Sequence, residues 1–142
     1  MTVTVRVAEP DDLERVGELT AQAYLTDALV DPDHWYVGEL RDAARRAREA
    51  TVLVAVDGDR VVGTITLAPA GSPYAEIAQQ GEMELRMLAV DPAARGRGVG
   101  ERLMRAAIER GLAWGAHAVV LSTMPEMRAA QIAAYTGVSA AL

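Results

Sequence analysis

Glu82-Met83-Glu84-Leu85-Arg86-Met87-Leu88-Ala89-Val90-Asp91-Pro92-Ala93-Ala94-Arg95-Gly96-Arg97-Gly98-Val99-Gly100-Glu101 is the stretch on which the fold turns. Glu82 to Val90 reads as a strand. Its alternation puts Glu84, Arg86, Leu88 and Val90 on one face and Met83, Leu85, Met87 and Ala89 on the other. Gly98 to Leu112 reads as an amphipathic helix with Val99, Leu103, Met104, Ala107, Ile108 and Leu112 on its buried stripe. Glu101 and Arg105, then Arg105 and Glu109, are spaced for ion pairs on its outer side. Between strand and helix lies a turn carrying Gly96, Gly98 and Gly100 beside Arg95 and Arg97. A helix N-terminus offers unpaired N–H groups and positive dipole, and glycines let a ligand approach the main chain. Arginines add full charge and forked donors, so the segment is built to hold an anion.

The flanking elements follow from period and punctuation. Val3, Val5 and Val7 alternate with polar residues and predict a first strand. Pro10 opens a helix with Asp11, Asp12 and Glu14 in its first turn, where the dipole favours acids. Leu13, Val16, Leu19 and Ala23 form the apolar stripe of that helix. A break at Asp31–Trp35 precedes a second helix, with Leu40, Ala43, Ala44 and Ala47 expected on its buried face. Thr51–Val56 and Val61–Leu67 are β-rich runs joined by Asp57-Gly58-Asp59-Arg60, a hairpin signal. Ala68–Gln80 is a loop with Pro69, Gly71 and Pro73. Ala118–Leu121 is a short apolar strand, and Thr123-Met124-Pro125-Glu126 is a capping box that predicts a last helix. The expected order is β-α-α-β-β-β-α-β-α, a mixed α/β (α+β) fold without internal repeat or linker. All 142 residues fit one domain, 1–142.

Composition removes several classes of function. The chain is 51% hydrophobic and 24% charged, which suits a globular core and excludes a fibrous or disordered one. Cysteine is absent, so no thiol nucleophile, disulfide or thiolate metal site exists. A formal charge of −6 argues against coating a nucleic-acid backbone. No apolar run reaches the roughly 18 residues of a membrane span. The opening MTVTVRVAEP lacks a charged leader followed by an apolar stretch, so a cytoplasmic location is expected. Charge is unevenly placed: from Glu9 to Asp33, Glu9, Asp11, Asp12, Glu14, Glu18, Asp27, Asp31 and Asp33 face only Arg15, whereas Met83–Arg110 is slightly basic. Such a division suits a cationic substrate joined to a phosphate-bearing cofactor, or simply a solvated acidic helix face.

The ligand of the turn can be narrowed. An ATP-type loop needs G-x-x-x-x-G-K-[ST], and the chain has no lysine. A dinucleotide fingerprint needs glycine where Glu101 stands and a turn directly after the strand. Glycines serving only close packing remain a structural alternative. What is left is R-x-x-G-x-G, met as Arg95, Gly98 and Gly100 after Leu88-Ala89-Val90 and Asp91-Pro92. This resembles the central motif of the GNAT superfamily, the Gcn5-related N-acetyltransferases. The match is closest over Glu82–Gly111, and the order of elements extends it over nearly the whole chain.

The resemblance implies a mostly antiparallel sheet flanked by helices, and acetyl-coenzyme A as cosubstrate, with no metal. Main-chain amides of Arg95, Gly96, Arg97, Gly98, Val99 and Gly100, with Glu101 opening the helix, would hold the pyrophosphate. The central strand would carry a bulge and splay from its neighbour. Pantetheine would then bond to backbone at Leu88 and Val90 as an added strand does, with the thioester carbonyl near the Leu88 and Ala89 amides. Glu84 would be the general base for the amine, helped by desolvation or a water relay; Glu82 is a weaker candidate. A structural role for Glu84, paired with an arginine or on a solvent face, stays open. Tyr135 would protonate the departing thiolate, and Arg128 stands where relatives often have a cofactor-contacting asparagine.

The resemblance also implies two strands after the last helix, for which TGVSAAL shows no pattern, so they are expected to be missing. The open sheet edge would suit a second copy of the chain, a homodimer. The acceptor would be a primary amine of a small molecule or peptide, met by the acidic stretch with His34, Trp35, Tyr36 and Tyr74. No nucleic-acid or membrane partner is expected. The alternative function is a non-catalytic acyl-coenzyme A-binding or sensing domain.

Overall fold

Strands whose residues are apolar at nearly every position must be covered on both faces. Thr51–Asp57 and Arg60–Pro69 are of this kind, and a computed structural model, which describes residues 2–26, 36–122 and 138–141, places them at the sheet centre. The strands are β1 (Val3–Val7), β2 (Thr51–Asp57), β3 (Arg60–Pro69), β4 (Glu82–Val90), β5 (Ala118–Ser122) and β6 (Val138–Ala141). They lie side by side in chain order, antiparallel from β1 to β4 and parallel from β4 to β6. Residues 138–141 therefore do form a strand. One of the two strands expected to be missing is present, pairing Val119 with Val138 through Ser122 with Ala141. A four-residue strand of this composition carries too little period to be legible before its neighbour supplies hydrogen bonds.

Helix α4 (Val99–Ala113) covers one face of the sheet. Its Leu103, Met104, Ala107 and Ile108 pack with Leu53, Ile65, Leu67, Leu85, Val119 and Leu121 into the larger core. Leu112, expected on that stripe, is 38% exposed, and Gly111 takes the buried place because Val119 leaves no room for a larger residue. The other face is covered by α1 (Leu13–Thr26), α2 (Tyr36–Arg41) and α3 (Ala43–Glu49). Pro10–Asp12 forms a 3-10 turn ahead of α1.

The single second helix expected from the sequence is two. Asp42 breaks it, and its carboxylate accepts from the Arg45 N–H at 3.1 Å as the cap of α3. The break rotates α3, so Ala44 and Ala47 are exposed and the buried positions are Leu40, Ala43 and Arg46. Where α1 crosses α2, Gly17 lies so close to the Arg41 carbonyl that any Cβ would overlap it. The break expected at Asp31–Trp35 and the helix expected from Thr123 lie outside the described residues.

Candidate functional site

The period-2 alternation along β4 fails at its middle. Thr66 pairs with Arg86 and Thr64 with Ala89, so Ile65 of β3 faces two residues of β4, a β-bulge at Met87–Leu88. Met87 adopts φ +57, a left-handed conformation that costs about 1–2 kcal/mol for a side chain of this kind. The bulge flips the faces. Leu85, Leu88 and Val90 all pack on the α4 side, while Met87 joins Tyr24, Val37, Leu40 and Tyr74 on the other. Glu84 and Leu88 thus do not share a face, because one residue was inserted between them.

Among the described residues, β4 is paired on its β5 side over its first half only. Pairing with β5 runs from Glu82–Ala118 to Leu85–Leu121 and stops, so Arg86–Val90 leave β5 behind among the described residues. A strand without a partner on one side presents main-chain N–H and C=O groups to which an extended ligand can bond. Leu88 and Val90 lie under this opening, their methyl groups 3.8 and 3.7 Å from the place a Cβ on Gly100 would occupy.

The turn from β4 to α4 ends in the same place. A 3-10 turn, Pro92–Ala94, seats Ala94 in the core, after which Arg95, Gly96, Arg97 and Gly98 are exposed. Gly96 and Gly98 have φ +79 and +77, and nothing lies within 4 Å of a Cβ added at either. Gly98 is the N-cap of α4 in the left-handed region and has no side chain with which to satisfy the first-turn amides. Positive φ, the helix dipole and two arginines converge on one exposed turn, as the sequence expects. Asp91, at the strand's end, has its pKa lowered by the Ala93 N–H first and by Arg60 and Arg15 as well. Its carboxylate receives Arg15 at 2.7 Å and Arg60 at 2.8 Å.

On the opposite side of β4, Glu84 is fully buried. Its carboxylate accepts the N–H groups of Glu76 at 2.9 and 3.1 Å, Ile77 at 2.7 Å and Ala78 at 2.9 Å. Arg86 lies 3.9 Å away through Nε. The arginine pairing considered for Glu84 is therefore a minor contact, and the solvent-face reading fails. The carboxylate is the anchor of the 70–81 loop. Arg86 fastens the same loop, donating to the Tyr74 carbonyl at 2.8 Å and pairing with Glu76 at 3.2 Å, and it donates to the Tyr36 hydroxyl at 2.9 Å. Glu82 accepts from the Gln79 N–H at 2.9 Å.

Around Arg86 gather Tyr24, Tyr36 and Tyr74, with Tyr24 edge-on to Tyr36 at 6.0 Å. Burial pushes the Tyr24 hydroxyl up to about 12 and raises Tyr36 and Tyr74 as well. Arg46, unremarked in the sequence, is fully buried among them. It donates to the Glu39 carbonyl at 2.7 Å and weakly to Thr20 Oγ1 at 3.4 Å, and burial lowers its pKa. Arg46 Nε and the Tyr74 hydroxyl meet no hydrogen-bond partner among the described residues. The signal for Arg46 was available only as its i+3 spacing from Ala43, which a charged residue masks.

Among the described residues, the acids of the first quarter do not line this side of β4. Asp11 and Asp12 instead border a cleft of about 430 Å³ with Arg15, Asp57, Asp59, Arg60 and Val61. Glu14 and Glu18 are exposed on α1. Asp27, Asp31, Asp33, His34, Trp35, Arg128 and Tyr135 lie outside the described residues.

A family model described as the acetyltransferase (GNAT) family matches residues 13–137. The chain belongs to the GNAT acetyltransferase family. Its sheet and helices resemble those of a GNAT family acetyltransferase from Brucella melitensis solved with acetyl-CoA, at 27% identity and TM-score 0.67, over 90% of this chain and 80% of that one. An acetyltransferase from Clostridium acetobutylicum, also solved with acetyl-CoA, shares the fold at 14% identity and TM-score 0.70, over 91% of this chain and 86% of that one. A mycothiol acetyltransferase of Rhodococcus jostii (strain RHA1) is 42% identical over 59 residues, which is 42% of this GNAT chain and 17% of the relative. This chain therefore matches a small part of that relative's length. No helix among the described residues is long and apolar enough to cross a membrane.

Proposed function

We propose that this GNAT protein is an N-acetyltransferase that moves the acetyl group of acetyl-coenzyme A to a primary amine of a small molecule or peptide by direct attack. The observation that carries the reading is the coincidence at one end of β4 of the bulge, the loss of β5 pairing after Leu85, and the glycine-rich start of α4. In this reading amides of Arg95–Gly100, with Glu101 opening the helix, hold the two phosphates, and Arg95 and Arg97 add charge. Main chain at Leu88 and Val90 bonds the pantetheine arm, and the Leu88 and Ala89 amides polarise the thioester carbonyl.

The amine nitrogen forms a bond to the acetyl carbon while the carbon–sulfur bond breaks. The sulfur leaves as a thiolate whose pKa resembles that of a cysteine, about 8.5, so proton donation helps without being indispensable. We assign that donation to Tyr135. Proton removal from the amine is assigned differently from the sequence expectation. A carboxylate already accepting three main-chain N–H groups has its oxygens directed at those amides, so we assign Glu84 to holding the 70–81 loop, and the amine proton to solvent water. The same occupied carboxylate favours a second reading, a domain that binds an acyl-coenzyme A without turnover.

Thermal-shift titration with acetyl-coenzyme A, ATP and NAD, followed by thiol release across an amine panel, tests both. Stabilisation by acetyl-coenzyme A alone, with amine-dependent thiol release, is expected. Stabilisation without release for any amine selects the binding domain, and no stabilisation overturns the donor site.

A further inference from the structure

We propose that Asp91, clasped by Arg15 and Arg60, is the positioning residue of the phosphate-binding turn and sets donor affinity from outside it. The inference rests on the proposed reading in which the Arg95–Gly100 amides hold the donor's phosphates. The glycines at 96 and 98 give that turn its shape without giving it rigidity, since they populate many conformations when unheld. Residues 95–98 are exposed, and a structured segment flanks them at each end, so what fixes those ends also directs the amides. One end is Val99, the buried first residue of α4. The other is Asp91.

Everything at Asp91 acts to fix that end. Its side chain is 9% exposed and joins three parts of the chain. Oδ2 accepts from Arg15 Nη2 of α1 at 2.7 Å and from Arg60 Nη2 at the start of β3 at 2.8 Å. Oδ1 accepts from the Ala93 N–H at 3.0 Å. Its main chain donates to the Val62 carbonyl at 2.8 Å and accepts from Ala94 at 2.8 Å. Arg15 and Arg60 are 76 and 31 residues away in sequence and lie outside the turn. Charge-assisted bonds to a largely buried carboxylate are among the stronger ones in proteins, so they hold the first half of the turn in place before a ligand arrives. A ligand then need not supply the ordering itself, which is how preorganisation raises affinity.

The test uses the full chain with Asp91→Asn, Arg15→Gln, Arg60→Gln and the Asp91→Asn/Arg15→Gln double variant. Asparagine keeps the acceptor for Ala93 and removes the charge. Arg6→Gln, which removes the Arg6–Asp12 pair of 2.6 Å elsewhere, is the control. Calorimetric titration and steady-state kinetics with acetyl-coenzyme A should show Kd and KM for the donor raised about tenfold in Asp91→Asn, with kcat and the acceptor KM within about twofold. The double variant should add little to the single one, because both break one clasp. Hydrogen exchange of the unliganded protein should speed up at 92–100 alone. Unchanged exchange there, or faster exchange spread over the whole sheet, overturns the clasp, as does an unchanged donor Kd. If the wild type itself fails to bind acetyl-coenzyme A, the donor reading fails, while the exchange data still decide whether Asp91 orders the turn.

Discussion

A carboxylate with its acceptors filled behaves differently from one facing an open cleft. Glu84 is fully buried and each of its oxygens takes main-chain N–H groups of Glu76–Ala78. Glu84→Gln should therefore disorder the 70–81 loop and lower kcat/KM for the amine, because a side-chain NH2 group opposes donors where an oxygen stood. The pH profile should keep its shape. With water as the proton acceptor, kcat/KM should rise with pH toward the amine's own pKa, about 10.4 for an alkylamine, in both wild type and variant. A wild-type plateau governed by a group near neutral pH that disappears in the variant would restore the base role. Tyr24 offers a second check. Its hydroxyl is pushed up to about 12 by burial, so the folded state favours the protonated form. That contribution is whole below pH 10 and is lost as pH rises through about 12, so the alkaline loss of stability in urea melts should shrink in Tyr24→Phe. The sequence exposed Glu84 as a candidate by its place on the strand. It could not show the loop amides, which come together only when residues 76–78 fold back over β4.

Among the elements, β4 and α4 were legible because their signals are local: an apolar alternation, two positive-φ glycines and a stripe at helical spacing. Gly98→Ala places a side chain at φ +77 and should weaken donor binding while costing about 1–2 kcal/mol of stability, read by calorimetric titration and thermal melting. The face assignment beyond Met87 was not legible, since a bulge has no fixed residue signature and shifts every later side chain to the other face. The second helix went astray for a related reason. Asp42 interrupts it as the cap of α3, and only packing against α1 shows that Arg46, rather than Ala47, is buried. Arg46 is a guanidinium without a carboxylate ion-pair partner among the described residues, so its desolvation is poorly offset. Arg46→Met, which keeps the stem and removes the charge, should leave the melting temperature unchanged or raise it. Arg46→Ala should lower it by leaving a cavity.

At the level of the molecule, the sheet keeps its hydrophobic cores on both faces and places a structural interruption at one end of the central strand. There the bulge, the end of β5 pairing among the described residues and the glycine-rich turn come together. Of the charge division seen in the sequence, the basic turn belongs to the proposed donor site, whereas the described acids of the first quarter lie at the α1 start and on its outer surface. Net charge alone could not distinguish those places, because the route of α1 over the sheet decides them. The most direct measurement is a ¹⁵N-labelled chain titrated with acetyl-coenzyme A and followed amide by amide. The N–H signals of Arg95–Gly100, Leu88 and Val90 should shift together and saturate with one affinity. Saturating binding that leaves those amides unmoved and perturbs others would contradict a diphosphate held by the turn.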